Sequence, residues 1–178
     1  MTKWALVICV VFILALGALL AFRYLNRPPS DDELLRGFYK HKESLEQLRD
    51  MALADVSIQA LGKWGVQTSE GTFRRPDGGL PAGRYKTYLA LLKDAEVSVL
   101  SRSAFDHSQI NFVIWASGFA GDIAHVGICW RPSPPEHQVA NLDEYYKTHP
   151  YDNQIDWVYR PIVDGWYLWT DLWTDRTR

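Results

Sequence analysis

From Trp4 to Phe22 the chain reads WALVICVVFILALGALLAF, an apolar run without a single charge. At about 1.5 Å per residue, a helix of this length approaches the thickness of a bilayer's hydrocarbon core. The run therefore predicts a transmembrane anchor over residues 1–22. A cleaved secretory signal is the competing reading. Its apolar core would normally be shorter, at roughly 7–15 residues, although Ala15-Leu16-Gly17 would serve as a cleavage site. Cys9 follows Val-Ile without the small residues a lipidation site needs. Lys3 precedes the run while Arg23 and Arg27 follow it, so the positive-inside bias is nearly tied. A short basic start before an apolar run is the form of an export signal, which places the rest of the chain outside the cytoplasm.

Residues 23–30 form a linker that Arg27-Pro28-Pro29 keeps from continuing as helix. Ser30-Asp31-Asp32-Glu33 then has the form of a capping box, so a new helix starts there. Leu34, Phe38, Leu45, Leu48 and Ala52 recur at helical spacing and define its buried stripe. Near Asp55 the period changes: Val56, Ile58 and Ala60 alternate with polar residues as in a short strand, with helix continuation to Leu61 as the competitor. From Gly62 to Gly83 the composition turns to Gly, Thr, Ser and Pro, and Pro76-Asp77-Gly78-Gly79 is turn chemistry, so this stretch reads as a long loop.

Pro81 opens a second amphipathic helix carrying Tyr85, Tyr88, Leu89 and Leu92 and ending at Lys93-Asp94. β-Branched and aromatic runs follow at Val97 to Ser101, Gln109 to Ser117 and Ile123 to Arg131, the last two joined by a connection short enough for a hairpin. Val158 to Val163 and Trp166 to Leu172 flank Asp164-Gly165, a hairpin signal. Pro161 cannot donate to a ladder, which makes its strand an edge or a bulge. The intervening Pro132 to Asn153 reads as a loop with a helical turn at Leu142 to Lys147. The expected fold is α+β: two helices packed on a mostly antiparallel sheet of about four to six strands, in a single globular domain over 31–178.

Charge narrows the function classes. One of the 19 basic side chains, Lys3, lies ahead of the run, leaving 18 against 21 acidic ones, which gives no electrostatic case for nucleic acid. Cys9 lies inside the apolar run, so Cys129 has no partner for an intradomain disulfide. No G-x-G-x-x-G, Walker loop, H-E-x-x-H, C-x-x-C or G-x-S-x-G occurs, and no cofactor is expected. Ser117 lacks the leading glycine of a nucleophile elbow and reads as a strand end. His125 and Cys129 fall on one face of a strand, but four residues apart they are roughly 13 Å from each other, too far for a nucleophile and its base. Asp106-His107 lies in a turn, where a general base is the sharper alternative to a solvated pair. His137 and His149 have no spacing that defines a metal site.

Eight tryptophans, seven of them beyond residue 60, shift attention to binding. In the last strand, alternation puts Tyr167, Trp169, Asp171 and Trp173 on one face, opposite Trp166, Leu168, Thr170 and Leu172. If uncovered, Tyr167, Trp169 and Trp173 form an aromatic patch for a protein partner or a membrane surface; the competing reading has both faces of the strand packed as core. Arg74-Arg75 would hold an acidic partner or lipid headgroup, against the plain alternative of two solvated arginines.

The order of parts, Phe38 to Met51 with Asp55, Arg84-Tyr85 through Tyr88 to Leu92, Ile110 to Gly118, the glycine-bearing hairpin, Leu142-Asp143 and Gly165-Trp166-Tyr167-Leu168, resembles a loose group of small bacterial lipoproteins and membrane-anchored proteins of unknown function. The resemblance departs from the lipoprotein form, because no lipobox cysteine ends the leader. It implies a bacterial envelope location: a single-pass inner-membrane protein with its domain in the periplasm, touching the bilayer through Trp4 to Phe22. The function expected from all of this is a non-enzymatic binding or structural domain. Two alternatives stand beside it, an immunity protein neutralising a periplasmic toxin, and a hydrolase using His107 or His125.

Overall fold

The structure, a computed structural model, describes residues 11–17, 27–70, 73–75, 79–103, 106–119, 122–148 and 157–173. The described part of the first helix, α1, is residues 11–17, whose Val11, Phe12, Ile13, Leu14 and Leu16 are exposed. Among the described residues no helix is long and apolar enough to cross a membrane. Most of the expected span from Trp4 to Phe22 lies outside the described residues.

The domain begins where Ser30 caps helix α2 (Asp31–Ala54) in a reciprocal box: the serine side chain accepts from the Glu33 amide and the Glu33 carboxylate accepts from the Ser30 amide. Arg27 grips the same carboxylate at 2.7 Å, and these hydrogen bonds hold Glu33 at about 2, well below an ordinary glutamate. α2 kinks at His41. The expected stripe of Leu34, Phe38, Leu45, Leu48 and Ala52 is fully buried, each large side chain contributing on the order of 1.5–3 kcal/mol by leaving water. At the far end Asp55 accepts from Arg84 and from the Tyr88 hydroxyl at 2.7 and 2.8 Å, fastening α2 to helix α3 (Ala82–Asp94).

Among the described residues eight strands form one sheet, three of them between α2 and α3 and five after α3: β1 (Ile58–Gly62), β2 (Gly65–Thr68), β3 (Phe73–Arg75), β4 (Val99–Arg102), β5 (Ile110–Phe119), β6 (Asp122–Trp130), β7 (Val158–Val163) and β8 (Trp166–Trp173). Their order is β3-β2-β1-β4-β5-β6-β8-β7, with every pair antiparallel. The α+β reading therefore holds, with more strands than the four to six expected. The stretch from Gly62 to Gly83 is not one long loop, because β2 and β3 lie inside it. β2 turns back immediately on β1 around Lys63-Trp64, with Gly65 at φ +130°, a backbone conformation that glycine adopts freely. A third helix of the domain, α4 (Leu142–Thr148), stands where a single helical turn was expected.

The Asp164-Gly165 turn has both residues at positive φ, 42° and 81°, as a two-residue hairpin of the right twist requires. β7 is an edge strand, and its register shifts between Pro161 and Val163, in agreement with the missing proline donor. Its outer rim is sheltered: the Val139 amide donates to the Tyr159 carbonyl and the Tyr159 amide to the His137 carbonyl.

The main core lies between the helices and one face of the sheet. Trp166 is its largest member, in ring contact with Phe38 at 5.4 Å and Phe112 at 5.6 Å. A smaller core occupies the other face, built from Val113, Cys129, Tyr159, Tyr167 and Trp169 with Trp157 stacked on Trp169 at 4.9 Å. The Cys129 thiol is wholly buried, and burial pushes its ionisation far up. Both faces of β8 therefore serve as core.

Candidate functional site

Three adjacent strands set the floor of a cavity on the helix-covered face. Antiparallel register places Trp115 of β5 beside Val126 of β6, and Val126 beside Thr170 of β8, all on the helix-covered face. The walls come from Pro28 and Pro29 before α2, from Asp31 and Leu34 in its first turns, and from Leu142, Asp143 and Lys147 of α4. The cavity is open to one side and has a volume of about 610 Å³, within the range of roughly 300–1,000 Å³ typical of small-molecule sites, and its lining is predominantly apolar.

Asp31 joins the walls. Its Oδ2 accepts from Arg160 at 2.7 Å and from the Leu142 amide at 2.8 Å, and its own amide donates to Asp143 at 3.2 Å. One carboxylate thus ties α2, α4 and β7 together. It is 1% exposed, and desolvation raises its pKa despite the Leu142 and Arg160 contacts that pull it down. Two buried polar atoms among the cavity's lining residues have no hydrogen-bond partner among the described residues: Asp31 Oδ1 and Thr170 Oγ1. Polar atoms left unpaired in a protein interior are uncommon and costly.

A second cavity of about 440 Å³ lies by the β7 edge, lined by Asp106, Gln109, Arg131, His137, Trp157 and Tyr159 among others. Arg131 donates through Nη2 to Asp106 at 3.2 Å and covers the Tyr159 ring at 5.6 Å, while its buried Nε has no hydrogen-bond partner among the described residues. Burial pushes the Tyr159 phenol to about 12.

His125 of β6 faces Asp171 of β8 across the ladder. Its Nδ1 lies 2.9 Å from Asp171 Oδ1, which also accepts from the His125 amide at 2.8 Å. The Asp171 hydrogen bond raises the histidine pKa, with burial opposing. A raised imidazole gives stability that is fully present below the unfolded value near 6.5 and lost as pH rises through the folded value. Thermal unfolding of the full chain followed across this interval should therefore show a falling Tm with rising pH, and the slope should flatten in His125→Gln. An unchanged slope would mean that the pair does not carry the effect. Neither cavity is lined by His125. Cys129, on the same strand, is buried as a neutral thiol and supplies no nucleophile.

The residues singled out from sequence distribute as follows. Tyr167 and Trp169 are 7% and 2% exposed, so they form no uncovered aromatic patch. The Trp169 indole donates to the Ile128 carbonyl at 3.0 Å. The side chains of Trp173, Arg74 and Arg75 lie outside the described residues, as does His149. His107 is exposed and its carbonyl accepts from Arg102, while Asp106 accepts from Ser108, which makes this segment a turn. Ser117 and His137 are exposed. No cluster of potential metal ligands occurs among the described residues. Sequence reasoning missed Asp31, Arg160 and the pairing of His125 with Asp171. Alternation had already put Asp171 on the face opposite Thr170, but only the β6–β8 register brings it to His125.

Comparison with family models, with curated proteins and with solved structures finds no match to the chain.

Proposed function

We propose that this is a membrane-tethered envelope protein whose domain binds, without chemistry, the apolar chain of a lipid-like molecule. The observation that carries the reading is the cavity of about 610 Å³ on the helix face, apolar in lining and opening beside Arg27, only a few residues after the apolar run ends at Phe22. A bilayer anchor there would hold the opening near the surface from which such a chain comes, on the periplasmic side if the leader acts as an export signal. No assembled nucleophile and base competes for the role among the described residues.

In full-length protein held in lipid nanodiscs, a single-chain alkyl probe should shift the methyl resonances of Leu34 and Leu142 while leaving Val99, on the other face, unmoved. Val126→Trp, which fills the cavity floor, should abolish the response while the melting transition survives. Methyls at Leu34 and Leu142 that ignore every chain would sink the reading.

The hydrolase alternative draws on one observation, the His125–Asp171 pair, whose carboxylate could hold an imidazole oriented for proton transfer. It predicts ester hydrolysis that His125→Gln reduces by at least about a hundredfold. Activity indifferent to that substitution would remove it.

A further inference from the structure

We infer that the cavity at the β7 edge is a second binding site, taking one neutral, polyhydroxylated ring of a glycan. It is independent of the chain-binding reading, which concerns the other cavity. Its volume of about 440 Å³ lies within the roughly 300–1,000 Å³ of small-molecule sites. The polar side chains that line it with surface of their own include Asp106 and Arg131, 35% and 16% exposed, and Glu136 and His137, both exposed. Trp157 and Pro134 add flat apolar faces. The walls are fixed before any ligand arrives. The segment that carries Glu136 and His137 is pinned to β7 through the Tyr159 amide and carbonyl, and the Gln138 side chain donates to the Pro135 carbonyl at 2.9 Å. Trp157 is held by its stack on Trp169 at 4.9 Å.

Charge selects the class of ligand. Asp106 and Arg131 balance each other at 3.2 Å, while Glu136 and His137 make no side-chain hydrogen bond or ion pair among the described residues. An anionic ligand would meet the uncompensated Glu136, and a cation would settle beside Arg131. A hydroxyl both donates and accepts, so neighbouring hydroxyls of one ring can accept from Arg131 and donate to Asp106 or Glu136. The C–H face of the same ring then rests on Trp157. An extended peptide, the other occupant that a sheet edge invites, finds the Tyr159 amide and carbonyl already taken.

The test titrates full-length protein in lipid nanodiscs with the methyl glycosides of glucose, galactose, mannose and N-acetylglucosamine, read at the Trp157 indole and the Leu34 methyls. At least one should shift the indole at millimolar concentration while Leu34 stays unmoved. Methyl glucuronide and glucosamine, the charged counterparts, should bind more weakly than the best neutral glycoside, and a blocked tetra-alanine peptide should leave the indole unmoved. Glu136→Ala, on an exposed side chain, should weaken the neutral glycoside about tenfold, the loss of a hydrogen bond to a charged group. An indole indifferent to every glycoside, tighter binding of either charged sugar, a response to the peptide, or affinity unchanged in both Glu136→Ala and Asp106→Asn overturns the inference. The response of Leu34 and Leu142 to alkyl chains would survive that failure.

Discussion

Gly127→Ala should leave the full chain unable to fold, a loss beyond about 4 kcal/mol that places the variant in the rare severe class. Gly127 sits mid-strand in β6, between Val113 of β5 and Trp169 of β8. A Cβ there would overlap the Phe112 carbonyl oxygen and lie 3.2 Å from the Trp169 indole nitrogen. The first is backbone of a central strand and cannot retreat without parting the β5–β6 ladder. The second is held by its bond to Ile128. The matched control is Gly37→Ala in α2, where the new methyl meets nothing within 4 Å. Helix propensity alone should raise stability there by up to about 1 kcal/mol. Denaturant titration of both variants checks the pair; a cooperative, near-normal transition in Gly127→Ala would contradict the close approach.

Arg160→Met should cost about 3–5 kcal/mol at neutral pH, because it strands the Asp31 carboxylate in a place that is 1% exposed. The loss should also depend on pH in a definite direction. Burial raises the folded pKa of Asp31 above 3.8, so the neutral carboxyl is favoured in the fold, and what it contributes is present below the unfolded value and lost as pH rises through the folded one. Removing Arg160 removes an influence that lowers that pKa, which moves it further up. The penalty is then largest near neutrality and shrinks on acidification as Asp31 takes up a proton. Denaturant midpoints for both proteins over several pH values provide the measurement, and a pH-independent gap between them would refute the charge argument.

Much of the frame was legible from local pattern. The Ser30 capping box, the α2 stripe and the Asp164-Gly165 turn each state their conformation within a few neighbouring residues, and Pro161 marked its own strand as an edge or a bulge. β2 and β3 were not legible, because strands of four and three residues set among Gly, Thr and Ser offer too few alternations to stand out from loop. The burial of Tyr167 and Trp169 was equally hidden: alternation sorts residues onto two faces but does not say whether a second layer, here Trp157 and its neighbours, will cover one of them. The cavity lay furthest from sequence. Leu34, Trp115, Val126, Leu142 and Thr170 come from five separate elements, and only β5–β6–β8 register together with the start of α2 brings them around one space.

The sheltered rim of β7 has a further consequence. An open antiparallel sheet can recruit another chain at its ends, where unpaired amides and carbonyls act as a template. Among the described residues one end carries three residues, Phe73–Arg75, and at the other the Tyr159 amide and carbonyl are already engaged by His137 and Val139. Among the described residues, little edge backbone is therefore left at either end of the sheet for a second molecule to copy.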